Sequence, residues 1–293
     1  MISAAILPER TVLRVSGEDA RHFLQNLVTS DIEGLSAGEA RFAALLTPQG
    51  KILFDFFVLA VAEEEGGGFL LDAPKALAAE FLKRLTFYKL RAKVEIEPRP
   101  DLAVAVALEG NPPEEIGFVF ADPRHPKLGT RIILPAADAK AALGKAGFKI
   151  TGAEEWERLR ISLGVPEGGK DFVYGDTFPH EANMDQLGGV DFAKGCFIGQ
   201  EVVSRMQHKS VTRTRVVPVA YKDVTPLEGV EVKIGEKAAG FFGSAAGGRG
   251  LAKLRLDRVE DGLKAGESLS AGNIALTLVK PDWAKFPFPG EEA

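Results

Sequence analysis

The only cysteine of this 293-residue chain, Cys196, lies in the stretch Asp191-Phe-Ala-Lys-Gly-Cys-Phe-Ile-Gly-Gln-Glu-Val-Val-Ser-Arg-Met206, between Gly195 and Gly199 and two residues after Lys194. A thiolate is a nucleophile and a soft metal ligand, so this is the strongest chemical feature of the sequence. Val202, Val203 and Met206 fall at helical spacing, which predicts a helix beginning at or near Gly199. Cys196 would then sit just ahead of a helix N-terminus. The unpaired N–H groups there, with the Lys194 ammonium, would favour thiolate over thiol. On these residues alone the blander reading stays open, that of a lone cysteine serving as a small buried apolar side chain.

A second cluster, Pro179-His-Glu-Ala-Asn-Met-Asp185, brings His180, Glu181, Asn183 and Asp185 together shortly before the cysteine. Carboxylates accept paired N–H bonds, so such a group suits the donor edge of a nitrogen-rich heterocycle; a polar loop with a helix cap is the competing reading. Metal binding is not indicated. There is no H-E-x-x-H, the histidines (His22, His125, His180, His208) are scattered, and one thiol cannot by itself complete a zinc or iron–sulfur ligand set. Between Glu201 and Asp223 no acidic residue occurs, whereas Arg205, Lys209, Arg213, Arg215 and Lys222 do. That run reads either as a solvated face or as a surface for a polyanion such as an RNA backbone. Ala246-Gly-Gly-Arg-Gly250 lacks the ending of a P-loop and reads as a hairpin turn.

A composition of 45% hydrophobic and 26% charged residues is that of an ordinary globular chain. A net charge of -5 argues against nonspecific nucleic-acid binding by the whole surface. One cysteine excludes an internal disulfide framework and fits a reducing compartment, so a cytoplasmic location is expected. The first residues carry neither a charged n-region nor a long apolar core, so no signal peptide is expected. The longest apolar run, Ile52 to Ala62, is broken by Asp55 and is too short to span a bilayer; no membrane partner is expected.

Thr11 to Val15 is a strand, and Ser16-Gly-Glu-Asp19 resembles a capping box opening a helix that buries Phe23, Leu24, Leu27 and Val28. Arg41 to Leu46 and Ile52 to Ala62 form a hairpin joined at Thr47-Pro-Gln-Gly50. Phe69 to Leu71 is a strand, after which Asp72 is expected to cap a helix with Leu77, Phe81, Leu82 and Leu85 on its apolar face. Further strands are expected at Lys93 to Glu97, Leu102 to Leu108, Phe118 to Phe120 and Thr130 to Leu134, with a helix over Asp138 to Ala146. Thr151-Gly-Ala-Glu154 looks like a second capping box, ahead of a helix that stops near Gly164 and Pro166. From Arg213 onward, short strands at Arg215 to Tyr221, Gly229 to Ile234, Ala238 to Ser244, Leu251 to Arg258 and Ile274 to Lys280 predict a small all-β barrel or sandwich. The fold class is α+β.

Lys194-Gly-Cys-Phe-Ile-Gly-Gln-Glu201 resembles the K-G-C-[FY]-[IT]-G-Q-E signature of the YgfZ family of folate-binding proteins, relatives of the glycine cleavage T-protein. Phe23-Leu-Gln-Asn-Leu-Val-Thr-Ser-Asp31, Leu46-Thr-Pro-Gln-Gly-Lys-Ile-Leu-Phe-Asp55 and Pro179 to Asp185 agree in the same order. The resemblance implies a T-protein-like three-lobed arrangement around a central folate site. Residues 1–212 would form the aminomethyltransferase-like region, as lobes 1–50 with 151–212 and 51–150, followed by a β-barrel over 213–283 and a tail over 284–293. It implies tetrahydrofolate or a derivative as ligand, with Glu181, Asn183 and Asp185 toward the pterin and Gln25, Asn26, Lys194 and Gln200 nearby. Cys196 becomes the functional thiol, able to hold a transient iron–sulfur cluster shared with a partner. Partners would be iron–sulfur assembly proteins or client enzymes, including radical enzymes that modify tRNA, with direct contact to tRNA confined to the Arg205 to Lys222 run. T-proteins carry a paired Asp-Asp where this chain has Phe54-Asp55, and they lack the cysteine signature. These two differences set the chain apart from the aminomethyl transferases; a folate-dependent aminomethyl or methyl transferase with Asp55 as acid/base group is the alternative activity.

Overall fold

The computed structural model describes residues 2–209 and 212–291. Ser210 and Val211 of the basic run, the side chain of Lys209, and the last two residues of the expected tail lie outside the described residues. The chain forms two compact units, Met1–Trp156 with Gly188–Gln200, and Glu157–Leu187 with Glu201–Ala293.

In chain order the first unit carries β1 (Ser3–Ile6), β2 (Arg10–Ser16), α1 (Ala20–Leu27), β3 (Ala40–Leu46), β4 (Ile52–Ala60), β5 (Phe69–Pro74), α2 (Ala78–Lys89), β6 (Glu95–Pro98), β7 (Leu102–Ala107), β8 (Phe118–Ala121), β9 (Thr130–Pro135), α3 (Ala139–Lys145), β10 (Lys149–Thr151) and the start of α4 (Ala153–Ser162). One sheet has the order β3-β4-β5-β2-β6 and is antiparallel throughout; the other has the order β10-β1-β7-β9-β8, with β1 and β10 parallel. The expected hairpin is present, Phe42 opposite Phe57 and Ala44 opposite Asp55. Helix α1 buries Ala20, Phe23, Leu24 and Leu27 against that sheet's core, and α2 adds Phe81 and Leu85.

Neither helix is capped as expected. Asp19 precedes α1, but its carboxylate makes no cap and instead accepts from the backbone N–H of Lys93 at 2.7 Å; Ser16 ends β2. Asp72 is not a helix cap either. It lies within β5, fully buried, and accepts from Arg10 Nε at 2.6 Å and from Arg131 Nη1 at 2.5 Å. Arg131, on β9 of the other sheet, also donates to Asp122 at 2.9 Å, and Asp122 receives Arg124 at 2.8 Å. Arg131 lies over the ring of Phe57 at 3.9 Å, with Arg124 over the same ring at 4.9 Å. A local cap signal thus lost to a charge-assisted contact made between sheets.

The second unit carries the rest of α4, most of α5 (Gln200–Lys209), and then β11 (Thr214–Ala220), β12 (Glu231–Ile234), β13 (Lys237–Ala246), β14 (Arg249–Arg255), α6 (Leu256–Lys264), β15 (Leu269–Ala271) and β16 (Ile274–Leu278). These strands form a closed barrel in the order β11-β14-β13-β12-β15-β16, and β16 pairs back onto β11 through Val219 and Ala220. Val217, Val219, Val232, Ile234, Phe242, Ala252 and Leu254 fill it. The α+β content and the terminal barrel agree with expectation. The expected Leu251 to Arg258 strand is cut short by α6, which follows β14 with no Gly or Pro between and buries Leu256, Val259 and Gly262 at intervals of three. The three- and four-residue strands β1, β10 and β15 are too short for alternation to mark them. A buried arginine, Arg160, organises the barrel's approach, donating to Asp171 at 2.7 Å, while Asp171 accepts from the Ser244 N–H of β13 at 2.8 Å.

Burial alone would raise the Asp122 carboxyl, but the Arg124 and Arg131 guanidiniums hold it down to about 2. Folded Asp122 therefore binds its proton less tightly than the unfolded side chain. It stabilises the fold above pH about 4, and this share, about 2 kcal/mol, is lost as pH falls through 2. In urea titrations at stepped pH, Asp122→Asn is expected to flatten that acid slope. Asp72→Ala, which leaves Arg131 short of a partner, is expected to cost about 3–5 kcal/mol at neutral pH.

Candidate functional site

The cysteine loop belongs to the first unit and is built onto the end of α1. Thr29, buried just past that helix, donates through Oγ1 to Gly189 O at 2.5 Å and accepts there from the Ala44 N–H of β3 at 2.8 Å. Its carbonyl receives the Asp191 N–H at 2.9 Å. Asp191 then folds the chain back, its carboxylate accepting from the N–H groups of Ala193 (2.8 Å) and Lys194 (3.2 Å).

This turn drives Lys194 inward. Its ammonium donates to the carbonyls of Gln25 (2.7 Å), in the last turn of α1, and of Val28 (2.6 Å) and Ser30 (2.8 Å), in the segment that follows it. The three donors of Lys194 are thereby committed to carbonyls, not to the sulfur beside which the sequence placed them. Burial pulls the ammonium down to about 8, against the opposing pull of Asp31, Asp191 and Glu33. Phe197 is the second anchor, buried, with the Lys194 ammonium 5.5 Å from its ring centre. Between these anchors Gly195 and Cys196 are exposed. The sulfur is therefore displayed on a short bridge whose two ends are fixed.

The loop ends at Gly199, with φ +79, and α5 starts at the next residue, as expected. A Cβ on Gly199 would lie 2.5 Å from Thr47 O and 3.0 Å from Gly50 Cα. The cysteine stretch thus packs backbone to backbone on the Thr47 to Gly50 turn of the β3–β4 hairpin, and only glycine fits there. Gln200 reaches back, its Oε1 accepting from the Phe197 N–H at 3.3 Å.

The Pro179 to Asp185 stretch belongs to the second unit. Asn183 is fully buried in a left-handed conformation, φ 58, donating from Nδ2 to Val216 O at 2.7 Å and accepting from Arg215 at 3.2 Å. Asp185 is held bidentately by Arg215, both contacts 2.9 Å. Glu181 Oε2 accepts from the Phe178 N–H at 3.0 Å and from Lys253 at 3.1 Å, while its Oε1 accepts no hydrogen bond among the described residues. Of the three, Glu181 alone keeps an oxygen open. Burial lowers the His180 imidazole, so it is neutral at pH 7, with Nε2 3.1 Å from Gln207 Oε1.

The other candidates lie on α1 and β4 of the first unit. Gln25, on α1, spends its amide on closing the following loop, accepting from the Ile32 N–H at 2.7 Å and donating to Asp31 at 2.9 Å. Asn26 is exposed and donates to His22 O at 2.9 Å. Asp55 is buried within β4. The sequence motifs include Thr29 and the buried Arg215 without these roles, and do not include Lys253. Arg215 belongs to the basic run, of which Arg205, Arg213 and Lys222 are exposed; its place at the head of an apolar strand, Val216 to Val219, is the signal that sets it apart. Among the described residues no group of three or more His, Cys, Asp or Glu is placed to hold a metal ion.

An α+β body ending in a closed antiparallel barrel is an aminomethyltransferase-like architecture. The crystal structure of glycine cleavage system aminomethyltransferase T from Bartonella henselae superposes with a TM-score of 0.77 over 98% of this chain and 87% of that one, at 19% identity, which shows the shared fold. Residues 10–116 match the GCVT N-terminal domain and residues 213–286 the CAF17 C-terminal beta-barrel domain. The human protein named iron-sulfur cluster assembly factor IBA57, mitochondrial, is 32% identical over 94% of this chain and 84% of its own length. The homologue of that name from Pyricularia oryzae is 31% identical over 93% and 77%. The chain belongs to the IBA57 family.

Lys194→Met removes the donor from three carbonyls and is expected to cost about 2–4 kcal/mol. Gly199→Ala forces the loop off the hairpin turn. Both variants are expected to speed amide hydrogen exchange across residues 191–200 while leaving the barrel strands protected, measured by mass spectrometry.

Proposed function

We propose that this chain is a folate-binding protein of the YgfZ type that supports assembly or repair of iron–sulfur clusters in client enzymes, tRNA-modifying radical enzymes among them, with Cys196 as its working thiol. The observation that carries this reading is the exposed sulfur held between two buried anchors, Lys194 and Phe197, in a family whose named members are iron–sulfur cluster assembly factors. An inert structural cysteine would be buried; this one is presented. One thiolate supplies one ligand, so a cluster handled here is cargo, its remaining ligands coming from a partner protein or a small thiol. A cytoplasmic location, where that thiol stays reduced, is part of the same proposal.

The donor set fits tetrahydrofolate at one point. Glu181 keeps a carboxylate oxygen free to accept N–H groups of a pterin, while Asn183, Asp185 and Arg215 hold the turn that carries it. Bound folate would supply one-carbon chemistry or act as an effector; the residues named here bind and orient it.

In a strain lacking the protein, Cys196→Ser is expected to leave dependent iron–sulfur enzymes at the level of the deletion despite normal accumulation of the variant; full activity would refute the thiol's role. Tetrahydrofolate titration, followed by calorimetry, is expected to show binding that weakens at least tenfold in Glu181→Ala. Equal affinity in the variant would remove Glu181 from the site.

A further inference from the structure

We propose that the C-terminal end of α2, with the turn after it, is a docking surface for an acidic protein that carries an apolar recess. Between Glu80 and Glu95 the chain has no acidic residue but five cations, Lys83, Arg84, Lys89, Arg91 and Lys93. Lys93 pairs with Glu18 at 2.7 Å; the other four form no ion pair among the described residues. Between them in the sequence are the two most exposed large apolar side chains among the described residues of the first unit, Phe87 at 68% and Leu90 at 87% exposure, with the Tyr88 ring 5.5 Å from that of Phe87. The opposite side of α2 is used up in the core by Phe81 and Leu85. Folding therefore explains one face of this helix and not the other.

Leu90 has φ +46, a left-handed conformation that costs a non-glycine residue free energy, and its side chain gains no burial in return. The turn presents a leucine where glycine would be the relaxed choice. An apolar anchor flanked along the chain by cations that form no ion pair among the described residues has the composition of an interface centre with a charged rim. In a chain of net charge -5, such a local excess of cations selects and steers an acidic partner.

The charges around the patch favour a protein over an extended polyanion. Glu80 stands before it, Glu95 and Glu97 are exposed on β6 after it, and Glu18 sits beside Lys93. A sheet of anionic lipid or an RNA backbone would meet these carboxylates too. A protein surface matches the alternation residue by residue.

The test places a photoreactive side chain in the full-length protein in living cells, by Phe87→p-benzoylphenylalanine, with Val173→p-benzoylphenylalanine, another exposed site, as control. The expected result is a discrete polypeptide adduct at position 87, absent from the control, whose cross-linked segment is acidic around an apolar residue. That polypeptide, once purified, is expected to bind at least tenfold more weakly to Lys83→Glu/Arg84→Glu, and to recover when the partner's facing carboxylates are made basic. Leu90→Gly is expected to weaken binding to a similar degree while leaving thermal stability equal or higher, which separates a docking role from a structural one. An adduct to lipid, to RNA or to a second copy of this chain, no adduct at position 87, or undiminished binding by these variants would overturn the proposal. Cys196→Ser should leave the adduct unchanged, so that failure of this surface and failure of the thiol's proposed role are read apart.

Discussion

In the first unit, Asp72 on β5 and Arg131 on β9 form an ion pair between two separate sheets, both side chains buried away from water. Neither charge can be removed alone without leaving the other desolvated, and each is held by further partners, Arg10 on one side and Asp122 with Arg124 on the other. Aromatic rings complete the enclosure, since Phe57 and Trp156 both lie against Arg131. Two hydrophobic sheets in contact could slide over one another at small cost. A buried network in which each carboxylate is held by two guanidiniums fixes one arrangement, because any slip strands a charge in an apolar medium.

On that fixed sheet the cysteine loop finds its footing. The β3–β4 hairpin supplies Thr47 O and Gly50 against Gly199, and the end of α1 supplies the carbonyls that take up Lys194. The lysine does two jobs with one charge: it satisfies a carbonyl of the last turn of α1 and two more just past it, and it ties residue 194 to a segment more than 160 positions earlier. The display of the thiol is thus a property of the backbone around it, set by a glycine that permits close approach and a cation that fills a cage of oxygens. The Glu181 turn in the second unit follows a similar logic, with Arg215 and Asn183 consumed in holding a loop on which one carboxylate oxygen stays available.

Much of this was legible because periodicity and turn chemistry are local. The amphipathic spacing of Phe23, Leu24 and Leu27, the Pro and Gly of the hairpin turn, and the succession of short strands after Arg213 each carry their signal within a few residues. The stretch around Cys196 was legible for the same reason, including the helix start after Gly199. What could not be read was any decision made at long range. Asp72 ahead of Pro74 has the local signature of a helix cap, and only Arg131, 59 positions away, makes it a buried strand residue. Lys194 next to a cysteine looks like an electrostatic activator until the carbonyls past α1 claim it. A single charge inside an otherwise apolar strand, as at Asp72, Arg131 and Arg215, was the one usable trace of these pairings.

An exposed thiol that is the chain's only one also fixes a stoichiometry. Each molecule has a covalent valence of one, so oxidation in air can join two copies and no more, and it cannot build chains or networks. A maleimide or a spin label will report from a single defined position, tethered at both ends by buried neighbours, which makes the loop an unusually clean place from which to observe this protein at work.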